Sequence, residues 1–425
     1  MTKDIFSNFL KEINSESSRP AGFSKSKFKK IGIVGSGLMG HGIAYVSSYY
    51  GFEVVLIDNS KKNVLNAFLK IEKMFKVQVK QNFISNRKME QSLGKIKVSI
   101  DIADLKGCEL VIEAIYEDIG LKSNITLSAE NIMEKSGVFS SNTSTISIAK
   151  LAEVSVRPEN FIGLHFFSPV HKMKLVEIIK SDSTSSKTLA RALDFITAIK
   201  KIPIVVNDSP GFFTTRVFMK YAMEGLALLH EGNDAHAIES AGKAAGFPVG
   251  PLAVLDEISL KVALNIRNQD RKNTNKNVTK PLNEPWDEVL SLMVNDYGRL
   301  GRINRKGFYD YPERNVKKLW PGLGGKITSI RNKISENQMS ERLIFSQIIE
   351  ALKCYDQGVL NSLAEANVGS VYGWGFPSPG VFSYIENYGI DNFKNKSNHL
   401  LKSFGNRFSV PSFFNKVKSI NELFS

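Results

Sequence analysis

Between Lys30 and Asn207, short apolar runs alternate with longer stretches whose apolar residues recur at helical spacing. The runs predict strands over 30–35, 53–58, 96–99, 109–113, 137–141, 160–166, 174–179 and 202–206. Helices are expected near 39–50, 61–82, 120–134 and 185–199. This alternation predicts a mostly parallel sheet covered on both faces, with ligands beyond the carboxyl ends of its strands. Ahead of it, residues 1–27 carry an amphipathic stripe (Ile5, Phe6, Phe9, Leu10, Ile13) and a polar linker through Pro20. Such a stripe is expected to dock on the body of its own protein.

After Ser209-Pro-Gly211 the pattern turns helical and repeats itself. Arg216, Glu224, Gly232 and Gly246-Phe-Pro248 recur as Arg342, Glu350, Gly358 and Gly375-Phe-Pro377, at an offset of 126 that becomes 129 for the last triplet. A fixed offset of this kind is the mark of duplication. The expected architecture is therefore α/β plus all-α. A connector (1–27) and a Rossmann-type, doubly wound domain (28–208) precede two duplicated helical units (209–335 and 336–425) that pack as a pseudo-symmetric pair. Lys306-Gly-Phe-Tyr-Asp-Tyr-Pro312 and Leu319-Trp-Pro-Gly322 read as an ordered linker between the helical units.

The strongest chemical signal is Gly35-Ser-Gly-Leu-Met-Gly40, between the first strand and the first helix, followed by Asp58 at the end of the second strand. Gly35 permits the tight turn, Gly37 lets backbone approach a pyrophosphate, and Gly40 lets helix and strand pack closely. Leu38 and Met39 complete the loop, whose helix N-terminus offers free N–H groups to phosphates. Asp58 would accept bonds from ribose hydroxyls and repel a 2′-phosphate, so the expected cofactor is NAD rather than NADP.

Four further polar residues lie at or near strand ends: Asn142, Ser144, His165 and Glu177. Oxidising an alcohol needs a base for the hydroxyl proton, and imidazole suits the task. A carboxylate on the other ring nitrogen would fix the tautomer. His165 and Glu177 each interrupt an apolar strand and form the candidate pair. The competing reading is a core histidine bonded to a buried acid. His41, inside the first helix, and His171, in a loop, are weaker candidates for the base.

Composition narrows the classes. Hydrophobic residues make up 42% of the 425 and charged residues 23%, ordinary for a globular chain. Cys108 and Cys354 form no metal or redox spacing, which points to a reducing compartment, no disulfide framework and no metal. No apolar run reaches the roughly 20 residues of a membrane span, and Met-Thr-Lys-Asp-Ile-Phe lacks the apolar region of a signal peptide, so the expected location is the cytoplasm. The formal charge of +14 admits nucleic acid, an anionic small molecule or a solvated lysine-rich surface. The basic clusters Lys25, Lys27, Lys29, Lys30 and Arg267, Arg271, Lys272, Lys276, Lys280 lack interleaved aromatics, and no nucleic-acid motif appears. Solvated surface with attraction for small polyanions is the preferred reading.

Gly35 through Ala44, Val111-Ile-Glu-Ala-Ile-Tyr-Glu-Asp118, Ser141-Asn-Thr-Ser144, His165-Phe-Phe-Ser-Pro169 and Val206-Asn-Asp-Ser-Pro-Gly-Phe212 together resemble the L-3-hydroxyacyl-CoA dehydrogenase family. Gly307 through Pro312, Leu319 through Gly322 and Val368 through Pro377 are similar to the C-terminal units of multifunctional fatty-acid oxidation proteins, and Phe9 through Gly22 to the connector after their hydratase domain, which has no counterpart here. The resemblance implies NAD-dependent oxidation of a 3-hydroxyacyl-CoA, with His165 as general acid/base and Glu177 as its orienting partner. It places Ser144 on the substrate oxygen, Asn142 near the nicotinamide, and Glu117 and Lys122 facing the cofactor and the CoA moiety. Substrate is expected between the sheet domain and residues 209–260. A homodimer, or association with a separate hydratase or thiolase, is the implied partnership; the duplication would alternatively let one chain supply a dimer-like interface by itself.

Two departures stand out. Thr215 occupies the place where the family has an asparagine that helps hold the thioester, and a hydroxyl has one donor where an amide has two. Asn304-Arg-Lys306 stands where a small residue or glycine is more usual. Thr215 leaves two alternatives: a weakened or inactive subunit that binds NAD and acyl-CoA as a scaffold, or a dehydrogenase for another 3-hydroxyacyl substrate.

Overall fold

The computed structural model describes residues 2–15, 18–274, 284–313, 316–324 and 333–424. Of the second basic cluster, Lys276 and Lys280 lie outside the described residues, as do the side chains of Arg271 and Lys272. The chain divides into two compact units. The first comprises Met1–Thr215 with Gln357–Trp374, and the second Arg216–Asp356 with Gly375–Leu423.

The first unit opens with α1 (Thr2–Asn14), then runs β1 (Lys30–Val34), α2 (Leu38–Tyr49), β2 (Glu53–Ile57), α3 (Lys61–Lys80), α4 (Asn86–Leu93), β3 (Ile96–Ser99) and β4 (Leu110–Glu113). It continues through α5 (Ile119–Glu130), β5 (Val138–Ser141), α6 (Ile148–Ala152), β6 (Phe161–Phe166), β7 (Leu175–Lys180), α7 (Ser186–Ala198) and β8 (Ile202–Asn207). Each of the eight expected strands is present within one residue of its predicted ends. Their order in the sheet is β3-β2-β1-β4-β5-β6-β7-β8. All neighbours pair in parallel except β6 and β7, which run antiparallel. Ile31, Leu56, Leu110, Ile112 and Leu164 are fully buried, as a sheet covered on both faces requires.

The strand order reverses at β1, so a crevice opens at the carboxyl ends of β1 and β4. The two short helices α4 and α6 were not expected. Ser85 caps α4 locally, accepting from the Lys88 amide. Asp208 caps α6 from far along the chain, accepting from the Ser147 hydroxyl and the Ile148 and Ala149 amides. The N-terminal stripe packs on helix Leu363–Trp374, with Phe6 edge-on to Tyr372 at 5.4 Å and Ile13 buried.

The second unit is built from α8 (Thr214–His230), α9 (Ala235–Ala244), α10 (Pro251–Ile258), α11 (Leu260–Thr274), α12 (Pro285–Ser291) and the small hairpin β9 (Tyr309–Asp310) and β10 (Lys318–Leu319). Helix α13 (Glu336–Asp356) follows; α14 (Leu363–Trp374) belongs to the first unit; α15 (Val381–Tyr388) and α16 (Ile390–Phe404) complete the second. The sequence repeat reappears here as reciprocal contacts. Arg216 of the first copy bonds Glu350 of the second at 2.7 Å, and Arg342 of the second bonds Glu224 of the first at 2.7 Å. Phe247 and Phe376 of the two Gly-Phe-Pro turns meet edge-on at 5.8 Å. Equivalent residues thus face each other as in a two-fold pair.

The motif at 307–311 is ordered by two buried carboxylates. Asp256 accepts from the Phe308 and Tyr309 amides, both at 2.8 Å, and from the Tyr311 hydroxyl at 3.0 Å. Glu239 accepts from the Tyr309 hydroxyl at 2.6 Å and the Leu252 amide at 2.7 Å. Arg305, in the segment where the family more often has a small residue or glycine, takes φ +60°, the left-handed region that favours glycine. A Cβ at Gly307 would lie 1.9 Å from Asp256 Oδ1. Gly307→Ala is therefore expected to destabilise the protein by about 3 kcal/mol, the upper range for an overpacked core. Urea unfolding followed by far-UV circular dichroism checks this, and an unchanged midpoint would refute it.

Candidate active site

The loop after β1 is shaped by its glycines. Gly35 takes φ +102° and donates its amide to Ile57 at 2.8 Å. A Cβ at Gly40 would stand 1.7 Å from the Gly35 carbonyl oxygen, so helix α2 can start this close to β1 only with glycine there. At Gly37 a Cβ would meet nothing within 4 Å. Gly37 is also the N-cap of α2 and supplies no side-chain cap, leaving the first-turn amides of the helix for a ligand. Leu38 is two-thirds exposed on this loop, while Met39 packs against the core.

Asp58 follows β2. Its Oδ2 accepts from the Ser36 amide (2.9 Å) and hydroxyl (2.6 Å), and Oδ1 accepts from Asn63 Nδ2 at 3.2 Å. Partial burial alone would raise its pKa, but the bonds from Ser36 and Asn63 outweigh it and hold the carboxyl below the usual range. An anion next to an uncapped helix N-terminus, beside open space over Gly37, fits a dinucleotide. Ser36 escaped sequence reading because nothing local marks it as a partner of a residue on the next strand.

His165 and Glu177 are direct cross-strand partners in the antiparallel β6–β7 pair. His165 Nδ1 lies 2.9 Å from Glu177 Oε2. A carboxylate can only accept, so Nδ1 carries a proton, and in the neutral ring Nε2 then presents its lone pair. Glu177 is fully buried and also accepts from the Phe213 and Thr214 amides, each at 3.0 Å, and from the Thr214 hydroxyl at 2.5 Å. Four donors thus hold one carboxylate. The connection between these strands is tied by Lys201, which donates to the carbonyls of Val170 and Met173; burial pushes its ammonium down to about 8. Thr214, adjacent to the Thr215 singled out from sequence, was missed. Thr215 itself is part-exposed in the first turn of α8.

Asn142, just past β5, accepts from the Phe166 amide at 2.8 Å, which ties it to the residue after His165. Ser144 donates its backbone amide to Glu117 at 3.1 Å. Glu117 in turn lies 3.3 Å from the Lys122 ammonium. Lys122 does not face outward: it is 1% exposed, with its ammonium on Glu113. His41 gives its Nδ1 to the Gly37 carbonyl at 2.6 Å, and His171 lies edge-on to Tyr45. Burial lowers the pKa of both. Cys108 and Cys354 are buried. Among the described residues, no three His, Cys, Asp or Glu side chains group as a metal site, and no helix is long and apolar enough to cross a membrane.

A glycine-turned β1–α2 junction, an acid after β2 and polar residues at successive strand ends define a nucleotide-binding α/β dehydrogenase fold. Residues 30–209 match the family described as "3-hydroxyacyl-CoA dehydrogenase, NAD binding domain", and residues 211–311 match "3-hydroxyacyl-CoA dehydrogenase, C-terminal domain". The chain belongs to the 3-hydroxyacyl-CoA dehydrogenase family, and residues 30–209 are its NAD-binding domain. It is 33% identical over 393 residues to a fatty acid oxidation complex subunit alpha of Vibrio vulnificus (strain CMCP6), covering 90% of this chain and 54% of that protein. The chain thus spans about half the length of the curated relatives it matches. A solved (S)-3-hydroxybutyryl-CoA dehydrogenase from Ralstonia eutropha is 33% identical, with a TM-score of 0.63 over 68% of this chain and all of that one. The 3-hydroxybutyryl-CoA dehydrogenase of Escherichia coli K12 has a TM-score of 0.80 at 22% identity, covering 92% of this chain and 98% of that one, a likeness of fold.

Proposed function

We propose that this chain catalyses the NAD-dependent oxidation of an L-3-hydroxyacyl-CoA to the 3-ketoacyl-CoA, a step of fatty-acid β-oxidation. The observation that carries this reading is the buried His165–Glu177 pair, 2.9 Å apart in register on β6 and β7. His165 Nε2 takes the hydroxyl proton, and Glu177 stabilises the imidazolium that results. Bound NAD supplies the acceptor for the hydride that leaves the same carbon. Ser144 would steady the substrate oxygen with its hydroxyl, and Asn142 would face the nicotinamide. The excess of basic residues favours an anionic CoA ester over long range, an effect that salt screens. We take the cytoplasm as its location and a separate hydratase or thiolase as its functional partner. The reciprocal helical contacts support a chain that meets its own pairing interface. Consumption of NADH with acetoacetyl-CoA tests the reading; NADH binding without turnover would overturn it.

One observation favours a second reading, a weakened dehydrogenase kept as a scaffold. Thr215 offers a single short donor where the family has a carboxamide. If reach to the thioester limits the rate, Thr215→Asn is expected to raise kcat by about tenfold, a fraction of what one preorganised donor contributes. Steady-state kinetics decide it, and an unchanged kcat would remove Thr215 as the limiting residue.

A further inference from the structure

Beside the Ser144 loop lies a chain of charges, Glu113, Lys122 and Glu117, that the reading above leaves without a task. Lys122 Nζ donates to Glu113 Oε1 at 2.7 Å and Oε2 at 2.9 Å, and lies 3.3 Å from Glu117 Oε2. Glu113 and Lys122 are 0% and 1% exposed. Glu113 also accepts from the Ser141 hydroxyl at 2.6 Å and the Ile115 amide at 2.7 Å. Glu117 Oε1 accepts from the Thr143 hydroxyl (2.5 Å), the Ser144 amide (3.1 Å), and the Thr145 amide (3.2 Å) and hydroxyl (3.0 Å). One ammonium therefore joins the end of β4, the first turn of α5 and, through Glu117, the loop after β5.

Two carboxylates share a single cation, Glu113 fully buried and Glu117 with about a third of its side chain exposed, and donors on Ser141, Thr143, Ser144 and Thr145 balance the surplus charge. Burial alone would raise the pKa of Glu117, but the Lys122 charge and the bonds from Thr143, Thr145 and Ser144 hold it below the usual range. The loop is fastened at three consecutive residues to one carboxylate oxygen, and Lys122, itself held by Glu113, is the partner of the other oxygen.

We propose that Glu113 and Lys122 are positioning residues. Acting through Glu117, they set the Thr143–Thr145 loop so that the Ser144 hydroxyl meets the oxygen on the reacting carbon. What Ser144 touches rests on the dehydrogenase reading; the clamp does not.

The test compares Lys122→Met with Glu113→Gln/Lys122→Met. The single variant strands the fully buried Glu113 carboxylate and loses thermal stability. The double variant removes the cation together with one anion, a replacement buried pairs tolerate, and regains it. Its kcat is expected to stay about 100-fold below wild type, the cost of misplacing a group by about 1 Å. Amide hydrogen exchange over residues 142–146 is expected to quicken in the double variant. If stability, kcat and slow exchange all return together, Glu113 and Lys122 only support the fold and the proposal is wrong. If exchange quickens but the wild type turns over no substrate, the clamp stands and the dehydrogenase reading falls. Should the double variant not fold, Thr145→Val removes one donor from Glu117 and is read in the same way: an unchanged kcat and exchange rate would overturn the proposal.

Discussion

Replacing His165 with glutamine is expected to lower kcat by about 10²–10⁴-fold, the range of general acid–base catalysis, with NADH affinity unchanged. The glutamine amide can still donate to Glu177, so packing beneath the ring survives. It presents no basic atom where Nε2 stood. The alcohol proton then has no acceptor inside the site, and the loss falls on turnover rather than on cofactor binding. Initial rates with acetoacetyl-CoA and a fluorescence titration of NADH separate the two. Retention of a tenth of the wild-type kcat would show that another group takes the proton.

That His165, rather than His41 or His171, would be the one paired with a buried carboxylate was only half legible in the sequence. All three sit in or near the sheet domain, and a polar residue interrupting an apolar strand marks burial, not chemistry. The deciding fact is the cross-strand register, His165 opposite Glu177, set by the antiparallel return between β6 and β7. The strands were readable because each is an apolar run flanked by turn residues, and the first glycine loop because its spacing is local. What escaped reading spans longer distances: Ser36 on Asp58, Thr214 on Glu177, Asp208 on the start of α6. Lys122 shows the limit best. At a helix start a lysine ordinarily faces solvent or a ligand, and only the placement of Glu113 at the end of β4 turns it inward. The repeat was visible as spacing, but its reciprocity, Arg216 to Glu350 against Arg342 to Glu224, appears only once the two copies are folded together.

Glu177→Gln is expected to lower kcat by about 10³-fold or more and to destabilise the protein by about 1–3 kcal/mol, the cost of one buried donor left unpaired. The carboxylate accepts four bonds, two on each oxygen, and an amide can serve only one of those sides. If its NH2 faces the Phe213 and Thr214 amides, donors meet donors and the start of α8 loosens. If it faces His165 instead, it donates to Nδ1, the ring proton moves to Nε2, and the lone pair needed for the hydroxyl proton is gone. Either orientation disables the base, by strain in one case and by the wrong tautomer in the other. The two are distinguishable. The first lowers the melting temperature with Nδ1 still protonated; the second moves the proton to Nε2, visible in the 15N shifts of the His165 ring. Thr214→Val supplies the control, since it removes one hydroxyl donor but leaves the carboxylate on His165, and its kcat is expected to fall far less. If Glu177→Gln kept wild-type turnover, the buried acid would be a packing element and the imidazole would act without it.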